Sequence, residues 1–138
     1  MTLEMIIHGN PVTKLRPRFT KTGKAYDCQR EEKMAAKVLI LQQMAQQGHM
    51  RVYKDALEVR LTFHTPIPKS WSQKRRMKVE GKPDTRKPDI DNLAKFLLDV
   101  MNRLIYQDDS QITTLWCEMY YSSEPRTEIQ IKELPCED

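Results

Sequence analysis

Features that define membrane, secreted or zinc-binding proteins are scarce in this sequence. No apolar run approaches the roughly 18 residues that a membrane span needs, and the N-terminus has no apolar signal segment. The three cysteines, Cys28, Cys117 and Cys136, form no Cys-x-x-Cys pair, which disfavours a disulfide framework or a zinc site. We therefore expect a cytoplasmic protein that does not associate with membranes.

Internal repeats and low-complexity segments are also absent. The hydrophobic fraction of 39% and the charged fraction of 30% are ordinary values for a globular protein. A chain of 138 residues is long enough for one domain with a thin hydrophobic core. The sequence therefore predicts a single domain over residues 1–138.

Positive charge is unevenly distributed along the chain. Residues 13–24 and 69–87 hold thirteen of the 23 lysines and arginines but only two of the 19 acidic residues. Clustered cations gain free energy when they release the counterions condensed on phosphates, so this segregation favours a polyanionic partner. A solvated basic face explains the charge pattern alone equally well.

The spacing of apolar residues predicts an α+β fold. Alternating apolar and polar residues predict strands, and apolar residues three or four apart predict helices. The segment 13–24 contains Pro17 and Gly23, so a loop or a ragged edge is expected there. The predicted elements are a strand over 2–8, a helix over 29–47, a strand over 57–64, a basic helix over 71–79 capped by Ser70, a helix over 89–103, and strands over 111–121 and 127–134.

The long helices and the last two strands allow more detailed expectations. Because a short segment joins them, the last two strands are predicted to form an antiparallel hairpin. Strands interrupted by helices predict a mixed or antiparallel sheet with helices packed on one face. The predicted apolar repeats are Met34, Val38, Leu41 and Ala45 in the first long helix, and Leu93, Phe96, Leu97, Val100 and Leu104 in the second.

The acidic residues with the clearest chemical meaning stand where the second long helix begins. Asp89 and Asp91 place two carboxylates near the free amide groups of the helix, where negative charge is tolerated. Mg²⁺ prefers oxygen ligands and keeps several waters, so it needs only two or three carboxylates. Lys95 lies four residues after Asp91 on the same helical face, where a lysine can offset the charge of a phosphate.

Purely structural roles for these residues stay open at this point. Asp89 fits a plain helix N-cap, and Asp91, Lys95 and Asp99 fit a ladder of i, i+4 ion pairs. Asp108 and Asp109 fit a turn after the helix. The three histidines, His8, His49 and His64, have no metal-ligand spacing and are expected to be structural.

The stretch from Lys87 to Gln111 resembles the signature of the RusA family of Holliday junction resolvases. That signature is an Asp-x-Asp-Asn-Leu-x-Lys helix, a downstream Asp, and then Asp-Asp-x-Gln. Pro88 stands directly before Asp89, where some members have a basic residue, so a phosphate contact from this position falls to Lys87. Similar segments elsewhere are Gly9-Asn10-Pro11-Val12 with Arg16-Pro17-Arg18, Pro68-Lys69-Ser70-Trp71, and Glu124-Pro125-Arg126-Thr127.

The resemblance implies a homodimeric, Mg²⁺-dependent endonuclease that makes paired nicks in a four-way DNA junction, with Mn²⁺ as a substitute metal. It assigns metal binding to Asp89, Asp91 and Asp109, and a catalytic role to Lys95. DNA binding is assigned to the basic segments, at Lys14, Arg16, Arg18, Lys69, Lys74, Arg75, Arg76 and Lys87. Candidates for stacking on unpaired bases are Trp71, Tyr106, Tyr120 and Tyr121, although packing in the sheet is the stronger expectation for Tyr120 and Tyr121, as for Trp116.

Two questions remain open from the sequence. Asp109 follows the far end of a helix about 20 Å long. Either the chain doubles back to bring Asp109 to the other aspartates, or a partner chain supplies it in an interwoven dimer. The alternative functions are a branched-DNA-binding protein without catalysis, a structural subunit without affinity for nucleic acid, and a less selective nuclease for branched DNA.

Overall fold

A computed structural model describes residues 2–135. The α+β class and the mixed sheet are confirmed, and the two long helices begin and end close to their predicted bounds. Cys136 lies outside the described residues. The elements are β1 (Thr2–His8), β2 (Arg18–Phe19), β3 (Ala25–Tyr26), α1 (Arg30–Gln46), β4 (Ala56–Pro66), α2 (Gln73–Val79), α3 (Ile90–Met101), a 3₁₀ turn (Asp109–Gln111), β5 (Ile112–Ser122) and β6 (Arg126–Leu134).

Four strands form the main sheet in the order β1-β6-β4-β5. Strand β6 is antiparallel to both β1 and β4, whereas β5 is parallel to β4. The crossover from β4 to β5 contains α2 and α3. The predicted β5–β6 hairpin is wrong, because β4 lies between these two strands. Alternation identifies a strand but not its neighbour, and the short connection at 123–125 passes over one strand.

The hydrophobic core lies between one face of the sheet and the helices α1 and α3. The apolar repeat predicted for α3 is confirmed, since its members are buried or, for Leu104, partly buried. The repeat predicted for α1 is wrong as a core face. Helix α1 buries Ala36, Ile40 and Met44 and exposes Met34, Val38 and Leu41.

Two glutamine side chains, Gln43 of α1 and Gln47 at its C-cap, close the outer edge of β1 and hold this side of the helix against the strand. Gln43 Oε1 accepts a hydrogen bond from the Ile6 amide at 2.8 Å, and Gln43 Nε2 donates to the Ile6 carbonyl at 2.7 Å. Gln47 Nε2 donates to the Glu4 carbonyl at 2.6 Å. These side chains take the place of a neighbouring strand, so β1 does not offer an unpaired edge at these residues.

Two smaller elements differ from expectation. Helix α2 is capped by Ser72 rather than Ser70, because Ser72 Oγ accepts a hydrogen bond from the Arg75 amide at 3.2 Å. The basic segment 13–24, predicted as a loop, contributes to a small hairpin made by β2 and β3. Gly23 has a φ of 84° in its turn, a conformation that suits glycine.

Candidate catalytic and DNA-binding site

The start of α3 presents two carboxylates and a lysine to solvent. Asp89 occupies the N-cap position, but its side chain makes no capping hydrogen bond. Its carboxylate is instead 2.6 Å from Lys87 Nζ. The predicted i, i+4 pair is present, with Lys95 Nζ 3.8 Å from Asp91 Oδ2. Lys95, Asp89 and Asp91 are all exposed, so each can reach a ligand outside the chain.

A buried carboxylate anchors the linker that leads to Asp89. Asp84 accepts hydrogen bonds from Thr65 Oγ1, from Arg86 Nε at 3.0 Å and from Arg86 Nη2 at 2.9 Å. Burial alone would raise the pKa of Asp84, but these hydrogen bonds outweigh burial and the pKa is lowered. Asp84 is therefore held as an anion that ties the linker to the end of β4.

The same linker pairs with the end of β5. The Asp84 amide donates to the Met119 carbonyl at 3.1 Å, and the Tyr121 amide donates to the Lys82 carbonyl at 2.9 Å. An open groove of about 520 Å³ lies between this part of β5 and the linker. Asp89, Arg86 and Glu118 are among the residues that line it, so the first of the predicted metal ligands borders a cavity.

Glu118 is an acidic residue of this groove that the sequence interpretation missed. Its carboxylate accepts hydrogen bonds from Trp116 Nε1 and Tyr120 Oη, each at 2.5 Å. These hydrogen bonds, that from Tyr120 first, lower the pKa of Glu118. The Trp-x-Glu-x-Tyr spacing places the three side chains on one face of a strand, and this spacing was the available signal.

The two aspartates of the Asp-Asp pair have different environments. Asp108 Oδ2 accepts a hydrogen bond from the Ser110 amide at 3.0 Å, and Gln111 completes a capping box around the turn. Gln111 Nε2 also donates to the carbonyls of Tyr53 and Asp55, which fixes the turn against the preceding chain. Asp108 is therefore structural, whereas Asp109 is exposed and takes part in none of the ion pairs among the described residues.

The three predicted metal ligands do not come together within one chain. Among residues 2–135, no group of three or more His, Cys, Asp or Glu side chains could hold a metal ion. Asp109 precedes β5, whereas the groove beside Asp89 contacts residues 117–120 of that strand. At about 3.3 Å per residue, the strand separates the two positions by more than roughly 20 Å.

The first basic segment is fixed beside α3. The buried side chain of Gln29 accepts a hydrogen bond from the Leu15 amide and donates to the Thr13 carbonyl. The Lys14 amide donates to the Asn92 carbonyl at 3.0 Å, and Lys14 Nζ pairs with Asp99. Asp99 therefore pairs with Lys14 rather than with Lys95. Arg16 and Arg18 come shortly after Lys14 in the chain, and both are exposed.

The second basic segment contains a cluster of stacked arginines. The Arg75 guanidinium lies 3.5 Å from the ring centre of Trp71. The Arg86 guanidinium lies 4.5 Å from the ring centre of Tyr121, whose ring is 5.9 Å from that of Trp71. Trp71 therefore supports arginines with its ring. Lys69 and Lys74 are exposed, and Arg76 Nη1 donates to the Pro68 carbonyl at 3.3 Å.

Of the four aromatic candidates for stacking on a base, the structure excludes one, and it exposes an aromatic residue that was not expected. Tyr106 is fully buried and its hydroxyl donates to the Leu98 carbonyl, so its ring cannot reach DNA. Phe19, in contrast, is 71% exposed in the basic β2–β3 hairpin. Sequence reasoning missed Phe19, because a short hairpin was not predicted.

The remaining residues of interest fit structural roles. His49 is buried and packs on Tyr53 with ring centres 4.6 Å apart. His64 Nε2 is 3.5 Å from a Glu128 carboxylate oxygen.

Within residues 2–135, no helix is both long and apolar enough to cross a membrane.

Comparisons with known proteins indicate the same family as the sequence motif that begins at α3. The family model of the endodeoxyribonuclease RusA matches residues 8–132. The uncharacterized protein YqaN of Bacillus subtilis (strain 168) is 30% identical over 137 residues, which cover 96% of each chain. The crossover junction endodeoxyribonuclease rusA of Lactococcus phage r1t is 45% identical over 51 residues, or 36% of this chain and 39% of the phage protein. The chain belongs to the RusA family of endodeoxyribonucleases.

Proposed function

We propose that this protein resolves four-way DNA junctions by paired, metal-dependent nicks. The observation that carries the proposal is the exposed set of Asp89, Asp91 and Lys95 at the start of α3, in a member of the RusA family. The name of the phage relative, a crossover junction endodeoxyribonuclease, supports the same substrate. The two basic segments adjoin this set, the first through Lys14 and the second through Lys87.

The chemistry of the donors suits Mg²⁺, or Mn²⁺ in its place. Asp89, Asp91 and Asp109 offer exposed carboxylate oxygens, the ligands that hard cations prefer. When bound, such an ion lowers the pKa of a coordinated water and polarises the scissile phosphate. Lys95, on the same helical face as Asp91, binds the phosphate and offsets the negative charge that grows in the transition state.

The basic segments bind the DNA backbone on both sides of these residues. Arg16 and Arg18 extend from the loop anchored on α3, and Arg75 is held in place by its contact with Trp71. Contacts to phosphates respond to the shape of the DNA rather than to its bases. A four-way junction presents two equivalent strands, so a two-fold dimer suits it.

Asp109 is supplied by a partner chain in this proposal. The support is that Asp109 and the groove beside Asp89 lie at opposite ends of the same strand in one chain. The test mixes two inactive variants, Asp91→Asn and Asp109→Asn. If the site is shared between chains, mixed dimers contain one intact site and nicking returns, whereas a mixture that stays inactive excludes sharing.

The first experiment compares nicking of a four-way junction, a fork and a linear duplex at equal concentration with added Mg²⁺. We expect nicking of the junction alone. The Asp91→Asn variant should bind the junction as wild type does and lose nicking. Cleavage retained in this variant would remove the assignment, equal cleavage of forks would indicate a less selective nuclease, and binding without nicking by wild type would indicate a non-catalytic binding protein.

A further inference from the structure

Three charged side chains follow one another along the exposed face of α3. Asp91, Lys95 and Asp99 are four residues apart, so Lys95 has a carboxylate one turn away on each side. Helix polarity favours an acid that precedes its lysine, but a pair in either order is attractive. Among the ion pairs of residues 2–135, Lys95 nevertheless pairs only with Asp91. The partners of Asp99 account for this choice.

Asp99 is already occupied by two lysines from other segments. Lys14 Nζ is 2.5 Å from Asp99 Oδ2, and Lys33 Nζ is 3.9 Å from the same oxygen. Lys33 Nζ is also 2.7 Å from Asp27 Oδ2. Two lysines and two aspartates therefore form a group without net charge, which joins the first basic segment and α1 to α3.

Lys14 is held in this group by its backbone as well as by its charge. Its amide donates to the Asn92 carbonyl, and the buried Gln29 side chain bonds to the backbone on either side of it. The Lys14 side chain is only 27% exposed, and its hydrogen bond with Asp99 raises the pKa of its ammonium group. Arg16, two positions later, is exposed. The charge of Lys14 is therefore directed at the protein, whereas that of Arg16 is available to a ligand.

We propose that Lys14, assisted by Lys33, is a positioning residue that neutralises Asp99 and so leaves Lys95 to the scissile phosphate. The proposal rests on the nuclease function proposed above, in which Asp91 is a metal ligand and Lys95 binds the phosphate. An Asp91 that serves as a metal ligand no longer holds Lys95, and Asp99 is then the next carboxylate along the helix. An uncompensated Asp99 would attract Lys95 away from the phosphate and would also repel the phosphate itself.

Two charge-matched double variants separate this role from the DNA contact that the sequence suggested for Lys14. Lys14→Met with Asp99→Asn, and Arg16→Met with Asp99→Asn, each remove one cation and one anion, so both keep the net charge of wild type. Junction binding is measured without metal at several salt concentrations. We expect the Lys14 double variant to keep the wild-type salt slope and, within about twofold, the wild-type affinity. The Arg16 double variant should lose about one phosphate contact from the slope. Slopes that fall equally in both variants overturn the proposal.

Nicking kinetics test whether Lys14 acts through Asp99. Lys14→Met alone leaves Asp99 uncompensated, and we expect the single-turnover rate at saturating enzyme to fall by about fivefold. Adding Asp99→Asn should restore the rate to within about twofold of wild type, which would not happen if Lys14 only stabilised the fold. If Lys14→Met fails to fold, Lys14→Gln takes its place. A rate that stays low in the double variant, or that does not fall in the single variant, refutes the proposal.

Carbodiimide coupling identifies the partner of Asp99 without DNA or metal. The reagent joins an amine and a carboxylate in contact through an amide bond, with loss of one water, and peptide mass spectrometry locates the bond. Wild type should give the Lys14–Asp99 product, and Lys14→Met should give the Lys95–Asp99 product instead. Equal yields of the Lys95–Asp99 product in the two proteins refute the proposal. A wild type that binds junctions without nicking them refutes the proposed function alone, because the coupling products and the salt slopes still decide the role of Lys14.

Discussion

The two edges of the sheet are finished in different ways. At β1, Gln43 of α1 and the C-cap residue Gln47 bond to the strand backbone and occupy the place of a neighbouring strand. At β5, the linker covers only residues 119–121, and the uncharged stretch over 112–117 stays open. The edge at β1 is closed by α1, a helix that carries no predicted catalytic residue. The open edge belongs to the strand that lines the groove beside Asp89.

This difference teaches that the β1 edge is completed by contacts within the chain, whereas the β5 side holds both the groove beside Asp89 and the Asp84 anchor of the linker. Natural proteins protect sheet edges unless the edge has a partner. The same chain protects one edge with three side-chain hydrogen bonds, whereas at the other edge no backbone group within residues 2–135 bonds to the outward-facing Thr113, Leu115 and Cys117. Four predictions test this division between the two sides of the molecule.

The largest expected effect is on the rate of nicking, and it compares Lys95 of α3 with Lys37 of α1. Replacing Lys95 by methionine removes the cation beside Asp91, and we expect the rate of junction nicking to fall by about 10²–10³-fold. The control, Lys37→Met on α1, should leave the rate within about twofold of wild type. Single-turnover nicking with saturating enzyme measures both. Equal losses in the two variants would contradict the division.

The next effect concerns the anchor of the linker on the β5 side. Asp84→Asn weakens the hydrogen bonds from Arg86 and leaves this cation without its carboxylate, which should lower the free energy of unfolding by about 2–3 kcal/mol. The lowered pKa of Asp84 stabilises the fold above the usual pKa of aspartate, and this contribution is lost as the pH falls through the lowered value. The difference in the free energy of unfolding between the variant and wild type should therefore become smaller at acidic pH, as measured by urea titration. A difference that grows at low pH would exclude this role.

A smaller effect should follow when the closed edge is opened. The double variant Gln43→Ala and Gln47→Ala exposes the backbone of Ile6 and Glu4, and we expect the free energy of unfolding to fall by about 1–2 kcal/mol. Self-association should increase with concentration, because β1 then offers an unpaired edge. Gln42→Ala, on the same helix, is the control. Light scattering that stays at the wild-type value would show that the glutamines do not protect this edge.

The smallest effect concerns the support of an arginine. Trp71→Leu removes the ring beneath Arg75, a contact worth about 1 kcal/mol or less at an exposed site. We expect junction affinity to fall up to about fivefold, with the salt dependence of binding nearly unchanged because no charge is lost. Fluorescence anisotropy at several salt concentrations measures both quantities. An unchanged affinity would assign Trp71 to packing alone.

The sequence predicted most of the elements because their patterns are local. The apolar stripe of α3 repeats at helical spacing, and its polar face carries Asp91 and Lys95, so one pattern located both the core and the candidate site. Strand β4 alternates strictly and was equally clear. The family motif then made Asp89 and Asp109 candidate metal ligands, a role that periodicity alone does not distinguish from a cap and a turn.

The features that sequence reasoning missed depend on contacts between distant segments. Strand neighbours are set by packing, so alternation could not place β4 between β5 and β6. The face of α1 depends on hydrogen bonds from Gln43 to a strand 37 positions earlier in the chain. The hydrogen bond from Thr65 to Asp84, and the placement of Glu118 and Asp89 around one groove, likewise require the crossover to be in place.

The pairing of β1 with β6 joins the two ends of the chain, with Thr2 opposite Lys132. Closing so long a loop is entropically unfavourable until the intervening residues have folded, so this pair should form late in folding. The strands β4 and β6 can pair earlier, since they are closer in sequence. In native-state hydrogen exchange, the amides of β1 should therefore open at a lower free energy than those of β4, while α3 stays folded.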